Sequence, residues 1–207
     1  MSKIERFPHL ISINTEKVRD IKEWRNDAKN YTRYLGKSKK TSAEAHLLYR
    51  LSREVGAGNR ADIGVLYGHS TAVMAHGLQD SGELGCIYSV DLFGNLGENL
   101  HLVPNKLKNY IEEQQLDKVQ LHICKGDSST WGWKLTCPFK LVFIDGDHSE
   151  SSVRKDFFAW GRLVEKGGYV VFHDTHFNSV DKIIQEIDLE KWEFVRQIYS
   201  TKVFRRK

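Results

Sequence analysis

Residues 140–153 read KLVFIDGDHSESSV: an apolar run from Leu141 to Ile144 ends in Asp145, Asp147 and His148, then passes into a segment able to start a helix. Ionisable groups are costly to bury without partners, so their place at the end of a buried strand needs a reason. A second stretch, GGYVVFHDTH at 167–176, repeats the arrangement with His173, Asp174 and His176.

Outward from these two strands the chain alternates between strand and helix. ADIGVL (61–66), CIYSVDLF (86–93), KVQLHIC (118–124), KLVFID (140–145) and YVVFHD (169–174) read as short apolar strands. Between and after them GHSTAVMAHGL (68–78), VPNKLKNYIEEQQ (103–115), ESSVRKDFFAWGRLV (150–164) and SVDKIIQEIDL (179–189) read as helices, and GDSSTWGWKLTCP (126–138) reads as a loop. A helix over 41–55, with Thr41 or Ser42 as its cap and Glu44 close behind, leads into the first strand. Strands apolar on both faces and alternating with helices predict a parallel sheet covered on both sides. The tail, WEFVRQIYS and KVFRR around a tight turn, predicts an antiparallel pair at one edge. Residues 1–40 stand outside this pattern; 15–35 carry Val18, Ile21, Trp24 and Leu35 at helical spacing, an amphipathic helix able to lie over a site as a lid.

In an open parallel sheet ligands bind outside the carboxyl ends of the strands, which explains the acids. The strand ends supply, in order, Gly64 and Gly68, Asp91, Asp127, Asp145 to His148, and His173 to Thr175. IGVLYGHST is not a G-x-G-x-x-G turn, so a dinucleotide pyrophosphate fits poorly. Its glycines still let backbone approach a ligand, and Ser70 and Thr71 offer donors to a carboxylate. Asp91 is placed to accept from both hydroxyls of a ribose, or else to cap a helix. Asp127, with Ser128, is placed to meet an adenine edge, or to make an Asx-turn.

The chain's 207 residues suit one domain, and 40% hydrophobic with 28% charged residues exclude a disordered chain. A net charge of +4, spread over KSKK (37–40) and FRRK (204–207), is too weak and scattered for a nucleic-acid stripe. With prolines only at 8, 104 and 138, a Pro-Pro loop of the kind that reaches exocyclic amines of nucleic-acid bases has no place. Three cysteines without C-x-x-C spacing, and no apolar leader or span in the sequence, lead to the expectation of a reduced, cytoplasmic protein that does not enter membranes.

From TSAEAHLLYRLSREV through ADIGVLYGHST, YSVDLF, KGDSS, LVFIDGDHS and GGYVVFHDT, the sequence resembles the class I S-adenosylmethionine-dependent methyltransferases. Within them it is similar to the metal-dependent O-methyltransferases of the macrocin and mycinamicin type. The resemblance covers 41–207 as the methyltransferase domain and leaves 1–40 as an extension. It implies a Rossmann-like, doubly wound, seven-stranded and mainly parallel sheet with one antiparallel strand at its edge. It implies adenosylmethionine over Gly64 and Gly68, with Ser70 and Thr71 at its carboxylate, ribose on Asp91, and adenine at Asp127 and Ser128. It also implies a magnesium or manganese ion on Asp145 and Asp174, with a third ligand at His173 or Thr175, and His148 as the base. Relatives often carry an acid or asparagine at that third position, and here the chain departs from them.

Two carboxylates facing each other across strand ends repel, and a divalent cation relieves that while binding substrate oxygens. An imidazole at His148 can take a hydroxyl proton during methyl transfer, with Asp145 beside it; capping a helix or pairing with Asp147 are its structural alternatives. Trp131 and Trp133 are placed to wall a pocket. The expected partner is a small-molecule acceptor such as a sugar or glycosylated natural product, with no nucleic acid or membrane, and a homo-oligomer is open. Two rivals stand beside this reading: a metal-dependent phosphoesterase built on Asp145, His148, His173 and Asp174, and a non-catalytic adenosylmethionine-binding module.

Overall fold

The computed structural model describes residues 42–94 and 100–207; the amphipathic stretch 15–35 and the rest of the expected lid lie outside them. In chain order the elements are α1 (Ser42–Glu54), β1 (Gly58–Ile63), α2 (His69–Asp80), β2 (Gly85–Asp91), a 3-10 turn (Leu100–Leu102) and α3 (Val103–Glu113). There follow β3 (Val119–Lys125), α4 (Ser128–Lys134), β4 (Phe139–Ile144), α5 (Glu150–Gly161), β5 (Val164–Phe172), α6 (Asn178–Gln185), β6 (Trp192–Ile198) and β7 (Thr201–Arg206).

The seven strands lie in the order β3-β2-β1-β4-β5-β7-β6. The first five pair in parallel, whereas β7 runs antiparallel to both β5 and β6. The reversed strand therefore sits at the predicted end of the sheet, one place in from the edge, because the short turn after β6 folds β7 back into the gap beside β5.

Alternation along β4 explains its unbroken apolar run. Leu141 and Phe143 join the core with Leu48 and Leu51 of α1 and Val73 and Leu78 of α2. Val142 and Ile144 point the other way, to Val153 and Trp160 of α5 and Val180 and Ile183 of α6. Both faces are covered, so each residue of the run is buried.

One stretch read as a loop contains a helix. Asp127 accepts from the Thr130 N–H at 2.7 Å and so caps the seven-residue α4. The two tryptophans and the glycine inside the segment concealed it, since its apolar positions serve different neighbours rather than one stripe.

A buried arginine joins α1 to β1. The Arg60 guanidinium reaches back over the end of α1 and donates to Ser52 Oγ (3.0 Å), Ser52 O (2.6 Å), Gly56 O (2.5 Å) and Gly58 O (2.8 Å). A cation among the last carbonyls of a helix also suits the helix dipole.

Candidate active site

The turn after β1 depends on glycine. Gly64 has φ +85°, and a Cβ there would lie 2.2 Å from the Asp145 carbonyl oxygen. Only glycine lets the ends of β1 and β4 approach this closely, and the Asp145 N–H donates to Ile63 O at 2.9 Å across the gap. Gly68, at φ +87°, caps α2 in the left-handed region with Leu107 against it.

Asp62, inside β1 rather than at a strand end, organises the same turn. It is fully buried and accepts from Ser70 Oγ at 2.8 Å and Thr71 Oγ1 at 2.5 Å, while Thr71 Oγ1 lies 2.9 Å from Ser89 Oγ. The hydroxyls of Ser70 and Thr71 thus turn inward, and what they present at the helix start is backbone N–H. The available signal was an acid inside an apolar strand, two residues before a glycine turn.

Asp91, half-buried at the end of β2, accepts from Leu66 N–H (3.0 Å) through Oδ2 and from Phe93 N–H (2.8 Å) through Oδ1. It ties the β1 turn to the β2 end, and each oxygen keeps a further lone pair for a hydroxyl donor. Asp127 accepts from Ser129 Oγ (2.8 Å) as well as Thr130, and those bonds hold its carboxyl below the usual carboxylate range. Ser128 donates to Asp156, and its carbonyl accepts from Trp160 Nε1 at 2.9 Å. Burial pushes the Asp156 carboxyl up to about 6. Trp131 is tied to Lys125 O at 3.1 Å and packs on the core, whereas Trp133 is exposed with the Arg162 guanidinium 4.7 Å from its ring.

The ends of β4 and β5 bring four of the sequence's candidates together. His173 Nδ1 lies 2.9 Å from Asp145 Oδ1 and 3.0 Å from Asp174 Oδ1. His148 Nε2 lies 3.1 Å from Asp174 Oδ2 and 3.9 Å from Asp145 Oδ1. Asp145 and His173 are almost wholly buried, Asp174 and His148 less so, which gives the cluster a dry floor and an open mouth. Asp174 has φ +52°, a left-handed turn that aspartate tolerates better than most residues and that aims its carboxylate back at Asp145. Ser179 Oγ donates to His148 O at 2.6 Å and fixes the loop that carries the imidazole.

Around this cluster the other candidates separate. Thr175 is buried, with its N–H on Ser200 O at 2.9 Å. His176 is exposed at the mouth, its ring 4.4 Å from Phe177, which itself lies 4.9 Å from His148. Asp147 accepts from Ser149 Oγ at 2.6 Å, which holds its carboxyl low and turns it toward the start of α5.

A third carboxylate enters from α1. Glu44 is 8% exposed and accepts through Oε1 from Ser200 N–H (2.9 Å), Ser200 Oγ (2.8 Å) and Thr201 Oγ1 (2.9 Å). Its Oε2 lies 3.7 Å from His173 Nε2. The sequence showed Glu44 only as an acid near a helix start, because its partners lie 156 and 157 positions away. Glu44, Leu48, His69, Ser70, Phe143 and His173 line a small pocket that is open to solvent on one side. Asp145, His148 and Asp174 offer one ligand atom each within 4.8 Å of one another, a spacing able to hold a metal ion.

Among the described residues no helix is long and apolar enough to cross a membrane. The three cysteines are free thiols.

Comparisons with known proteins agree with this architecture. An uncharacterized protein of Acanthamoeba polyphaga mimivirus is 26% identical over 141 residues, 63% of this chain; the aligned part spans 61% of that protein's length. Among solved structures, a TDP-rhamnose 3'-O-methyltransferase of calicheamicin biosynthesis superposes with a TM-score of 0.63 at 14% identity, covering 99% of both chains. An O-methyltransferase from Bacillus cereus, solved in complex with SAH, superposes with a TM-score of 0.60 at 17% identity, covering 98% of this chain and 96% of that one. These likenesses concern the fold. The family model described as a methyltransferase domain matches residues 61–175, from the turn around Gly64 to the HDT at the end of β5, more than half of the chain. The chain therefore belongs to the methyltransferase domain family, and it carries that domain on the class I S-adenosylmethionine-dependent fold.

Proposed function

We propose that the protein transfers a methyl group from S-adenosylmethionine to a hydroxyl of a small molecule, with a sugar or glycosylated natural product as the acceptor class. The observation that carries this is the convergence of Gly64, Gly68, Asp91 and the Asp127 loop with Asp145, His148 and Asp174 along one edge of the sheet. In this reading the first-turn N–H groups of α2 meet the methionyl carboxylate, Asp91 accepts from the ribose, and the Asp127–Ser128 segment borders the adenine. The solved O-methyltransferases that share the fold over nearly the whole chain support oxygen as the acceptor atom.

Methyl transfer is an in-line displacement: the acceptor oxygen bonds the methyl carbon as the carbon–sulfur bond breaks, and the hydroxyl proton must leave. The chain's contribution is to align oxygen, carbon and sulfur and to receive that proton. The imidazoles stand at the mouth, where Phe177 between His148 and His176 offers an apolar wall to the acceptor.

The donor set suits a divalent cation. Two carboxylates meet at the site, and His148 Nε2 is buried there without a hydrogen bond. Asp145 and Asp174 would hold the ion, which when bound lowers the pKa of a coordinated hydroxyl. A phosphoesterase built on the same cluster would leave the Gly64 turn and Asp91 without a role.

Calorimetric titration with S-adenosylmethionine tests the reading. Wild type is expected to bind, and Asp91→Ala to bind at least tenfold more weakly, about 1.4 kcal/mol. Absence of binding to wild type, with or without a divalent cation, would sink the proposal. Binding with no turnover of any hydroxylated acceptor would point instead to a binding module.

A further inference from the structure

The cluster at the ends of β4 and β5 holds a buried imidazole nitrogen that makes no hydrogen bond although two carboxylates lie within ion-pair distance of it. His148 Nε2 is buried, lies 3.1 Å from Asp174 Oδ2 and 3.9 Å from Asp145 Oδ1, yet is aligned for a hydrogen bond with neither. Two ligands each about 2.1 Å from a common ion stand about 3 to 4.2 Å apart, depending on the angle between them. The separations of His148 from the two carboxylates match that range.

His173 occupies a different place. Its Nδ1 is within hydrogen-bond distance of one oxygen of each carboxylate, 2.9 Å from Asp145 and 3.0 Å from Asp174, which calls for a proton on that nitrogen. Its Nε2 is turned toward Glu44 Oε2, on the side of α1. A ring so placed orients the Asp145 carboxylate from behind, as hydrogen-bond donors behind metal ligands do, with Asp174 beside it. Glu44, itself fixed by Ser200 and Thr201, faces the far side of the ring at 3.7 Å.

We infer that His148, not His173 or Thr175, is the third metal ligand, and that the site takes a transition-metal cation such as manganese or cobalt in preference to magnesium. The inference rests on the proposed function only for the presence of an ion and deepens it by naming the donor set. One imidazole nitrogen with two carboxylates suits first-row transition cations, whereas magnesium favours oxygen donors. A nitrogen bound to the ion cannot also take the acceptor's proton, so His148 leaves the role of base.

The experiment uses the full chain stripped with chelator and titrated separately with manganese, cobalt and magnesium chlorides, for wild type and His148→Ala, with S-adenosylmethionine binding measured in parallel. Wild type is expected to bind manganese at least about tenfold more tightly than magnesium, and cobalt to give visible d–d bands. His148→Ala is expected to lose about 10- to 100-fold in manganese affinity, to change the cobalt bands, and to hold magnesium nearly as before. Equal manganese affinity and unchanged cobalt bands in His148→Ala would overturn the assignment, as would a wild-type preference for magnesium. Failure to bind any of the three ions would also overturn it, while S-adenosylmethionine binding would still decide the proposed function separately. His148→Gln and a thermal melt of each variant exclude loss of folding as the cause.

Discussion

Two buried polar constellations lie at opposite ends of the sheet, and α1 touches both. At the start of β1, Arg60 is fully buried with four acceptors around it, all neutral carbonyl or hydroxyl oxygens. Burial lowers its pKa to about 10, so it is still charged at neutral pH. At the ends of β4 and β5, Asp145, Asp174 and Glu44 surround His173, with His148 at the rim. The first constellation is closed, since each of the three guanidinium nitrogens donates to an acceptor within the chain. The second pairs the carboxylates of Asp145, Asp174 and Glu44 with imidazoles, and its outer members Asp174, His148 and His176 face the outside. A buried group kept for stability is satisfied by its surroundings, whereas a site kept for chemistry retains charge for something from outside.

This contrast can be broken at three places. Arg60→Ala should do most harm to the fold, because it strips donors from the carbonyls of Ser52, Gly56 and Gly58. The expected loss is about 3 kcal/mol or more in chemical denaturation. A loss below about 1 kcal/mol would show that water replaces the guanidinium and that this end is not closed.

Asp156 is an intermediate case, a buried acid that accepts from Ser128 and has the Asp127 and Asp147 carboxylates near it. Its carboxyl stays protonated in the fold up to about pH 6, while the unfolded chain ionises near 3.9. Through that window the unfolded state releases a proton that the folded state keeps, so stability falls as pH rises and levels off above it. Two pKa units correspond to about 3 kcal/mol. Asp156→Asn, which still accepts from Ser128, should flatten the stability profile between pH 4 and 6 and stabilise the protein at pH 7. An unchanged profile would mean that the group ionises normally in the fold.

Asp174→Asn should have the smallest effect on stability and the opposite sign to Arg60→Ala. Asparagine also tolerates the left-handed backbone, and removing one of three clustered carboxylates relieves repulsion. The melting temperature is expected to stay level or rise, by no more than about 1 kcal/mol in stability, while methyl transfer falls at least about 100-fold. Destabilisation comparable to that of Arg60→Ala would make this cluster structural as well.

The layout of the site was legible where chemistry follows directly from strand ends. Asp145, His148, His173 and Asp174 stand out because an acid or histidine closing an apolar run is conspicuous, and parallel sheets gather such ends on one edge. Asp62 and Glu44 were not legible as parts of it. Asp62 sits within a strand, and its partners Ser70 and Thr71 looked like groups facing a ligand. Glu44 fits an ordinary helix start, and nothing near it in the chain announces Ser200, Thr201 or His173. Asp127 was legible as an acid at a strand end, but its capping of α4 depended on a helix that composition concealed.

The alternation of apolar runs and amphipathic helices was enough, by itself, to determine a parallel sheet covered on both faces, because each run needs burial on two sides and each connection needs a crossover. It also determined which edge would gather the candidate site residues, through the ends at which polar residues appear. Tertiary structure alone decided which polar atoms meet: that Ser70 and Thr71 turn inward to Asp62, that Glu44 closes behind His173, and that His148 faces both carboxylates. The periodicities that specify elements are local, whereas these contacts depend on side-chain direction across strands and helices far apart in the chain, at a scale of about 3 Å where a hydrogen bond is made or missed.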